Sequence, residues 1–197
     1  FAQTHQALGL GPGLTTHPET MEMLQALISK IQRPCVIDAD ALNALAGKTD
    51  ILRNCHSIPV LTPHPGEMAR LIGNVSAQHI NAHRLTVAQE FAQQHACILV
   101  LKGARTIVAE PDGQAAICPT GNPGMATAGM GDVLTGMIAG LLAQGIPPGL
   151  AAKAGVFLHG LAGDLGMHEL GQASLMASDV LDFIPQAILT TQQETSE

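Results

Sequence analysis

Short, fully apolar runs alternate with longer segments whose apolar positions recur every three or four residues. Ala7 to Leu10 is the first such run, and it breaks at Gly11-Pro12-Gly13-Leu14. From Pro18 onward Met21, Leu24, Leu27, Ile28 and Ile31 fall on one helical face, so this stretch predicts strand, glycine turn, helix. Val36 and Ile37 run into Asp38 and Asp40, with helical Ala41 to Gly47 behind them. Ile58 to Leu61 repeats the theme and ends at Thr62 to Glu67, where Pro65 suits the first turn of a helix. One amphipathic helix is predicted from Ser76, its cap, to Gln94, followed by the apolar strand Ile98 to Leu101.

Strands this uniformly apolar, alternating with helices, predict an α/β fold with a mostly parallel central sheet covered on both faces. Each polar or glycine cluster lies just after a strand, at the sheet edge where open α/β proteins bind ligands. After Lys102 the pattern changes: Thr106 to Ala109 and Ala115 to Ile117 flank Pro111-Asp112-Gly113. That spacing predicts a terminal antiparallel pair. Three helices are expected beyond it, at Gly131 to Gln144, Gly149 to Met167 and Ala177 to Thr190, and the polar end from Thr190 reads as a frayed tail.

A length of 197 residues with 46% apolar content predicts a single domain, 1–197, with a substantial core. Lys plus Arg number 9 against 16 for Asp plus Glu, for a net charge of -7, and there are no Trp or Tyr and only 4 Phe. A nucleic-acid module is therefore disfavoured, lacking both basic surface and rings for base stacking. The apolar runs are too short to span a membrane, and no signal peptide is visible. Cys35, Cys55, Cys97 and Cys118 are scattered singly, which suits free thiols in a reducing cytoplasm better than a zinc site. The chain opens on Phe1 and runs quickly into a strand, and a domain lacking its first strands is expected.

The most informative stretch is Gly121 to Gly145. Gly121, Gly124, Gly129 and Gly131 lead into an apolar helix with Asp132 in its first turn. Glycines allow close approach of the backbone to a ligand, and the free N–H groups of a helix start attract phosphate. A carboxylate there repels an anion, and a base beside a transferred phosphoryl group explains its presence. A helix-capping acid above a flexible glycine loop is the plainer account of the same residues. The segment is neither a P-loop nor a strand-following GxGxxG. His64, held between Pro63 and Pro65, and Lys102, ending an apolar strand before Gly103, are candidates for ligand contact. Either also fits an ordinary surface position. Asp38 and Glu67 suit a network of magnesium-bound waters or simple solvation of a strand end and a helix start, so metal ligands stay unassigned.

Gly121 to Gly136, with Val36 to Leu45, Leu61 to Leu71 and Val100 to Thr106, strongly resembles the ADP-dependent NAD(P)H-hydrate dehydratase family, a branch of the ribokinase-like superfamily. The motifs occur in family order across nearly the whole chain. The resemblance implies a three-layer ribokinase-like fold. It also implies substrate contacts at Gly13, His64 and Asp132, adenosine contacts at Lys102, Gly103, Ala104, Arg105 and Thr106, nucleotide contact at Gly131, and Asp132 as catalytic base. The implied reaction is dehydration of the S epimer of hydrated NADH or NADPH at the expense of ADP, giving AMP and phosphate and repairing the cofactor. Mg2+ is the expected ion, a homo-oligomer the expected assembly, and an epimerase acting on the same hydrates, fused or separate, the expected partner. Two departures stand out: Thr15 occupies a position that is usually glycine, and His83-Arg84 replaces a common Asp-Arg pair. The family's domain also begins upstream with further strands and an alanine-bearing substrate loop. A vitamin-alcohol kinase of the same superfamily would use the same anion site and base, and a non-enzymatic nucleotide-binding regulator is the third class.

Overall fold

The computed structural model describes residues 4–194, so the expectations for residues 1–3 and 195–197 lie outside the described residues. Six strands form one sheet in sequential order: β1 (Leu8–Leu10), β2 (Cys35–Ile37), β3 (Val60–Leu61), β4 (Ile98–Leu101), β5 (Ile107–Ala109) and β6 (Ala115–Ile117). The first four are parallel, with Leu10 opposite Ile37 and Ile37 opposite Leu61. β5 and β6 add the expected antiparallel pair, with Leu101 opposite Ile107 and Ile107 opposite Ile117.

Each crossover between parallel strands carries helix: α1 (Pro18–Ile28), then α2 (Ala39–Leu45), then α3 (Pro65–Ile72), α4 (Ala77–Ala82) and α5 (Arg84–His95). These cover one face. Ile37, Leu61, Leu99, Leu101 and Ile107 point into that core with Leu24, Leu42, Met68 and Ala88. Their alternating neighbours Val36, Val60, Ile98, Val100 and Val108 point the other way, against α6 (Met130–Ala143) and α7 (Pro148–Leu170). β2 to β5 are apolar on both faces because each face is buried under helices, whereas the edge strand β6 is largely exposed. A third cluster, including Val133, Ala162, Val180 and Ala187, joins α6 and α7 to α8 (Ala177–Glu194). No helix among the described residues is long and apolar enough to cross a membrane.

Two predicted boundaries move furthest, beside shifts of one to three residues elsewhere, as in α7, which runs past the expected Met167 to Leu170. The single helix expected from Ser76 to Gln94 breaks at His83 (φ -127°, ψ 31°), which ends α4 and caps α5. The break lets the Arg84 guanidinium reach the carbonyls of Leu101 (2.9 Å) and Lys102 (3.2 Å), a tertiary demand that outweighs local periodicity. At the other end α8 runs on to Glu194, so the start of the expected tail is helical. Thr190 and Thr191 hydroxyls donate to carbonyls four residues back.

Candidate functional site

The ladder hydrogen bonds continue one step beyond the strands, fixing the first loop residues at the carboxyl-terminal edge. Asp38 N–H donates to the Leu10 carbonyl (2.9 Å), Thr62 to Ile37 (3.1 Å) and Lys102 to Pro63 (2.9 Å). Gly13 (after β1), Asp38 (β2), His64 and Glu67 (β3) and Lys102 to Thr106 (β4) therefore share one edge. Of these, Gly13 sits in an exposed turn with φ +73°. Thr15 adopts φ +69° close by, and its N–H donates to Asp40 Oδ2 at 2.8 Å. The residue that departs from the usual glycine thus keeps a glycine-like backbone, at a local conformational cost.

His64 is the N-cap of α3, in a capping box with an unusual acceptor. Its Nδ1 accepts from Gly66 N–H (3.0 Å) and Glu67 N–H (3.4 Å), while Glu67 Oε2 accepts from His64 N–H (2.8 Å). With Nδ1 accepting, the ring proton resides on Nε2. Half of the side chain is exposed, and Nε2 stands 3.6 Å from Glu67 Oε1, so the ring lies at the edge beside that carboxylate. Glu67 is itself buried.

Asp38 is 1% exposed. Its Oδ1 accepts from Lys102 Nζ at 2.6 Å and its Oδ2 from the Thr135 hydroxyl at 2.8 Å, and Glu67 Oε2 lies 3.8 Å from the same ammonium. α6 starts directly over this cluster: a Cβ placed on Gly131 would lie 3.3 Å from Lys102 Nζ and 3.6 Å from Asp38 Oδ2. A side chain there would press on the ammonium, and glycine keeps the approach free. Gly129, at φ +87°, is the N-cap of α6 and supplies no side-chain cap, which leaves first-turn N–H groups for an incoming anion. The glycine loop before it is held rigidly by α7. Gly121 N–H and the Asn122 amide donate to Asp164 (2.8 and 2.9 Å), and Thr120 Oγ1 donates to the Phe157 carbonyl (2.9 Å).

Asp132 lies in the same first turn, exposed, on the rim of an open hollow of about 450 Å³ lined by Val133, Gly136, Met137 and Leu181. Among the described bonds it caps no helix, contrary to the plainer account. The segment Gly103 to Thr106 turns with φ +136° at Gly103 and +58° at Arg105, and Thr106 Oγ1 donates to the Gly103 carbonyl. Ala104 and Arg105 are exposed, so this turn borders the anion site from the β4 side.

Sequence reasoning left Thr135, Asp164 and His159 unremarked and gave Arg84 no role. Thr135 was findable, standing four residues after Gly131 on the same helical face. His159, on α7, is buried and its Nε2 has no partner among the described residues. Burial, opposed by a hydrogen bond to the Met130 backbone and reinforced by the Lys102 charge, brings its pKa down to about 4. It is a neutral imidazole behind the helix start.

No group of three or more His, Cys, Asp or Glu suited to a metal exists among the described residues. Both Asp38 oxygens and one Glu67 oxygen are already engaged by donors of the chain itself. These carboxylates do not fit direct coordination of Mg2+. The four cysteines are free thiols; the Cys35 thiol is hydrogen-bonded to half-buried Cys55, and burial pushes Cys97 up to about 12.

The profile of the NAD(P)H-hydrate dehydratase family matches residues 1–186. A bifunctional NAD(P)H-hydrate repair enzyme of Moorella thermoacetica is 53% identical over 187 residues, 95% of this chain and 35% of its own length. The crystal structure of the ADP/ATP-dependent NAD(P)H-hydrate dehydratase from Bacillus subtilis, co-crystallised with ATP/Mg2+, superposes with a TM-score of 0.85 at 34% identity, over 94% of this chain and 64% of that one. A ribokinase-like superfamily protein from Enterococcus faecalis superposes at 0.76 with 27% identity, over 94% of this chain and 64% of its own, in agreement with the expected three-layer fold. The chain thus spans about a third of the Moorella relative and about two thirds of the Bacillus chain. Covering nearly its whole length, the profile match establishes that this chain belongs to the NAD(P)H-hydrate dehydratase family.

Proposed function

We propose that the protein removes water from the S epimer of hydrated NADH or NADPH, consuming ADP and releasing AMP and phosphate. The observation that carries this reading is the uncapped start of α6 seated on the Lys102–Asp38 pair, with Asp132 free in the same turn. N–H groups, helix dipole and ammonium make a preorganised site for the β-phosphoryl group. ADP lies along the Gly103 to Thr106 turn with its phosphates toward Gly131, and the dinucleotide occupies the edge near Gly13 and His64. Asp132 takes the proton of the C6 hydroxyl as its oxygen attacks the β-phosphorus. The bond from that phosphorus to the AMP oxygen breaks, and AMP departs. The C6–O bond then breaks with the ring-nitrogen lone pair pushing phosphate out, and loss of a proton from C5 restores the dihydronicotinamide ring, phosphate being a far better leaving group than hydroxide. Phosphate-bound Mg2+ would supply charge neutralisation, and the protein's own contribution is the placement of Asp132, Lys102 and the helix start. An epimerase supplying the S form is the matching partner, consistent with relatives whose names mark them as bifunctional repair enzymes.

Phosphate release from ADP in the presence of hydrated NADH tests the proposal. Asp132→Asn should lower turnover by about 10²-fold or more, the range for a lost general base, with ADP affinity nearly intact. A loss of less than about tenfold refutes the base assignment. Phosphorylation of a thiazole or pyrimidine alcohol, with hydrated NADH left untouched, would replace the dehydratase by a vitamin-alcohol kinase.

A further inference from the structure

The anion site contains a cation of its own. Lys102 is the residue whose ammonium stands between two buried carboxylates, 2.6 Å from Asp38 Oδ1 and 3.8 Å from Glu67 Oε2. Two carboxylates converging beneath a phosphate site repel both each other and the phosphate, so they require a counter-charge. Divalent ions commonly supply it in phosphoryl-transfer sites. Here the place is filled by covalently attached charge. Lys102 begins where β4 ends, its N–H bonded to Pro63 and its carbonyl held by Arg84, so the backbone from which the side chain reaches is fixed. The far end is fixed as well. Thr135 Oγ1 donates to Asp38 Oδ2, occupying the oxygen that Lys102 does not use. The ammonium lies directly beneath the helix start, where a Cβ added at Gly131 would come within 3.3 Å of Nζ.

We propose that Lys102 is a built-in substitute for a protein-bound divalent ion: locked between Asp38 and Glu67, it neutralises the pair and faces the phosphate, and Asp38 and Thr135 are its positioning residues. This deepens the nucleotide reading above and rests on it for the phosphate that the lysine serves. A flexible lysine is a mobile point charge. Pinned at both ends it becomes part of a preorganised electrostatic site, losing no rotamer freedom when phosphate arrives.

Calorimetric titration of the nucleotide-free protein with MgCl2 separates the possibilities without reference to activity. Wild type should show no saturable uptake over the millimolar range. Lys102→Met, with Lys102→Gln alongside in case the apolar variant does not fold, should gain one Mg2+ site, and adding Asp38→Asn should remove it again. Saturable Mg2+ binding by the wild type that Asp38→Asn abolishes would overturn the proposal, and so would failure of both folded Lys102 variants to take up the ion. The positioning role is read from ADP titrations: Thr135→Val should weaken ADP by about tenfold, and Thr135→Ser, which restores the hydroxyl, should recover it. Unchanged ADP affinity in Thr135→Val would refute that role. Wild-type protein that binds no ADP at all would defeat the nucleotide reading, while the metal titration alone decides the lock.

Discussion

Lowering the pH should destabilise this fold through its buried histidines, and most through His159. In the folded protein it is buried, faces the Met130 backbone and the Lys102 charge, and has a pKa of about 4 against 6.5 for a free imidazole. Between those values the unfolded chain binds a proton that the folded chain refuses, so stability rises with pH across the window and falls as pH drops through 6.5 toward 4. At about 1.4 kcal/mol per unit, the full effect is about 3 kcal/mol, and about 2 kcal/mol of it is lost between pH 7 and pH 5. Urea unfolding of wild type and His159→Gln at both pH values isolates the term, because the other titrating groups are common to both proteins. Wild type should lose about 2 kcal/mol more than the variant on acidification. Equal losses, or an imidazole resonance of His159 titrating above pH 6, would refute the reasoning.

Three further outcomes follow from the edge geometry. Thr15→Gly should stabilise the protein by about 0.5 to 1 kcal/mol by relieving a left-handed threonine, measured as a shift in urea midpoint. Gly160→Ala places a Cβ against Thr120 Oγ1 and 2.8 Å from the Thr120 carbonyl carbon; it should destabilise by about 1–3 kcal/mol and weaken ADP by displacing the glycine loop, seen in thermal denaturation and calorimetry. His64→Asn keeps a capping acceptor while removing Nε2, so affinity for hydrated NADH should fall by about 1 kcal/mol with ADP unchanged, whereas His64→Ala should also cost about 1 kcal/mol of stability.

The strands, the burial of β2 to β5 on both faces, the closing hairpin and the helix starting near Gly131 were all legible in the chain, because each rests on local physics. Continuous apolar runs mark strands covered twice, and Pro-Asp-Gly marks a turn. Asp132, His64 and Lys102 stood out as candidates for the same reason, since glycines, prolines and charges gather at the strand ends, although each residue type there also has an ordinary structural use. The tertiary structure alone decided which charges meet. Asp38, Lys102 and Thr135 are separated by 64 and 97 residues from the first to each of the others, and no periodicity connects positions so far apart. The same holds for Arg84, whose bonds to the end of β4 break a helix that its local pattern would have continued, and for His159, an ordinary helical histidine until α6 is packed over it. Local sequence sets backbone preference over a few residues, whereas a buried charge network exists only once strands β2 to β4 and the start of α6 have converged and water has been excluded from between them.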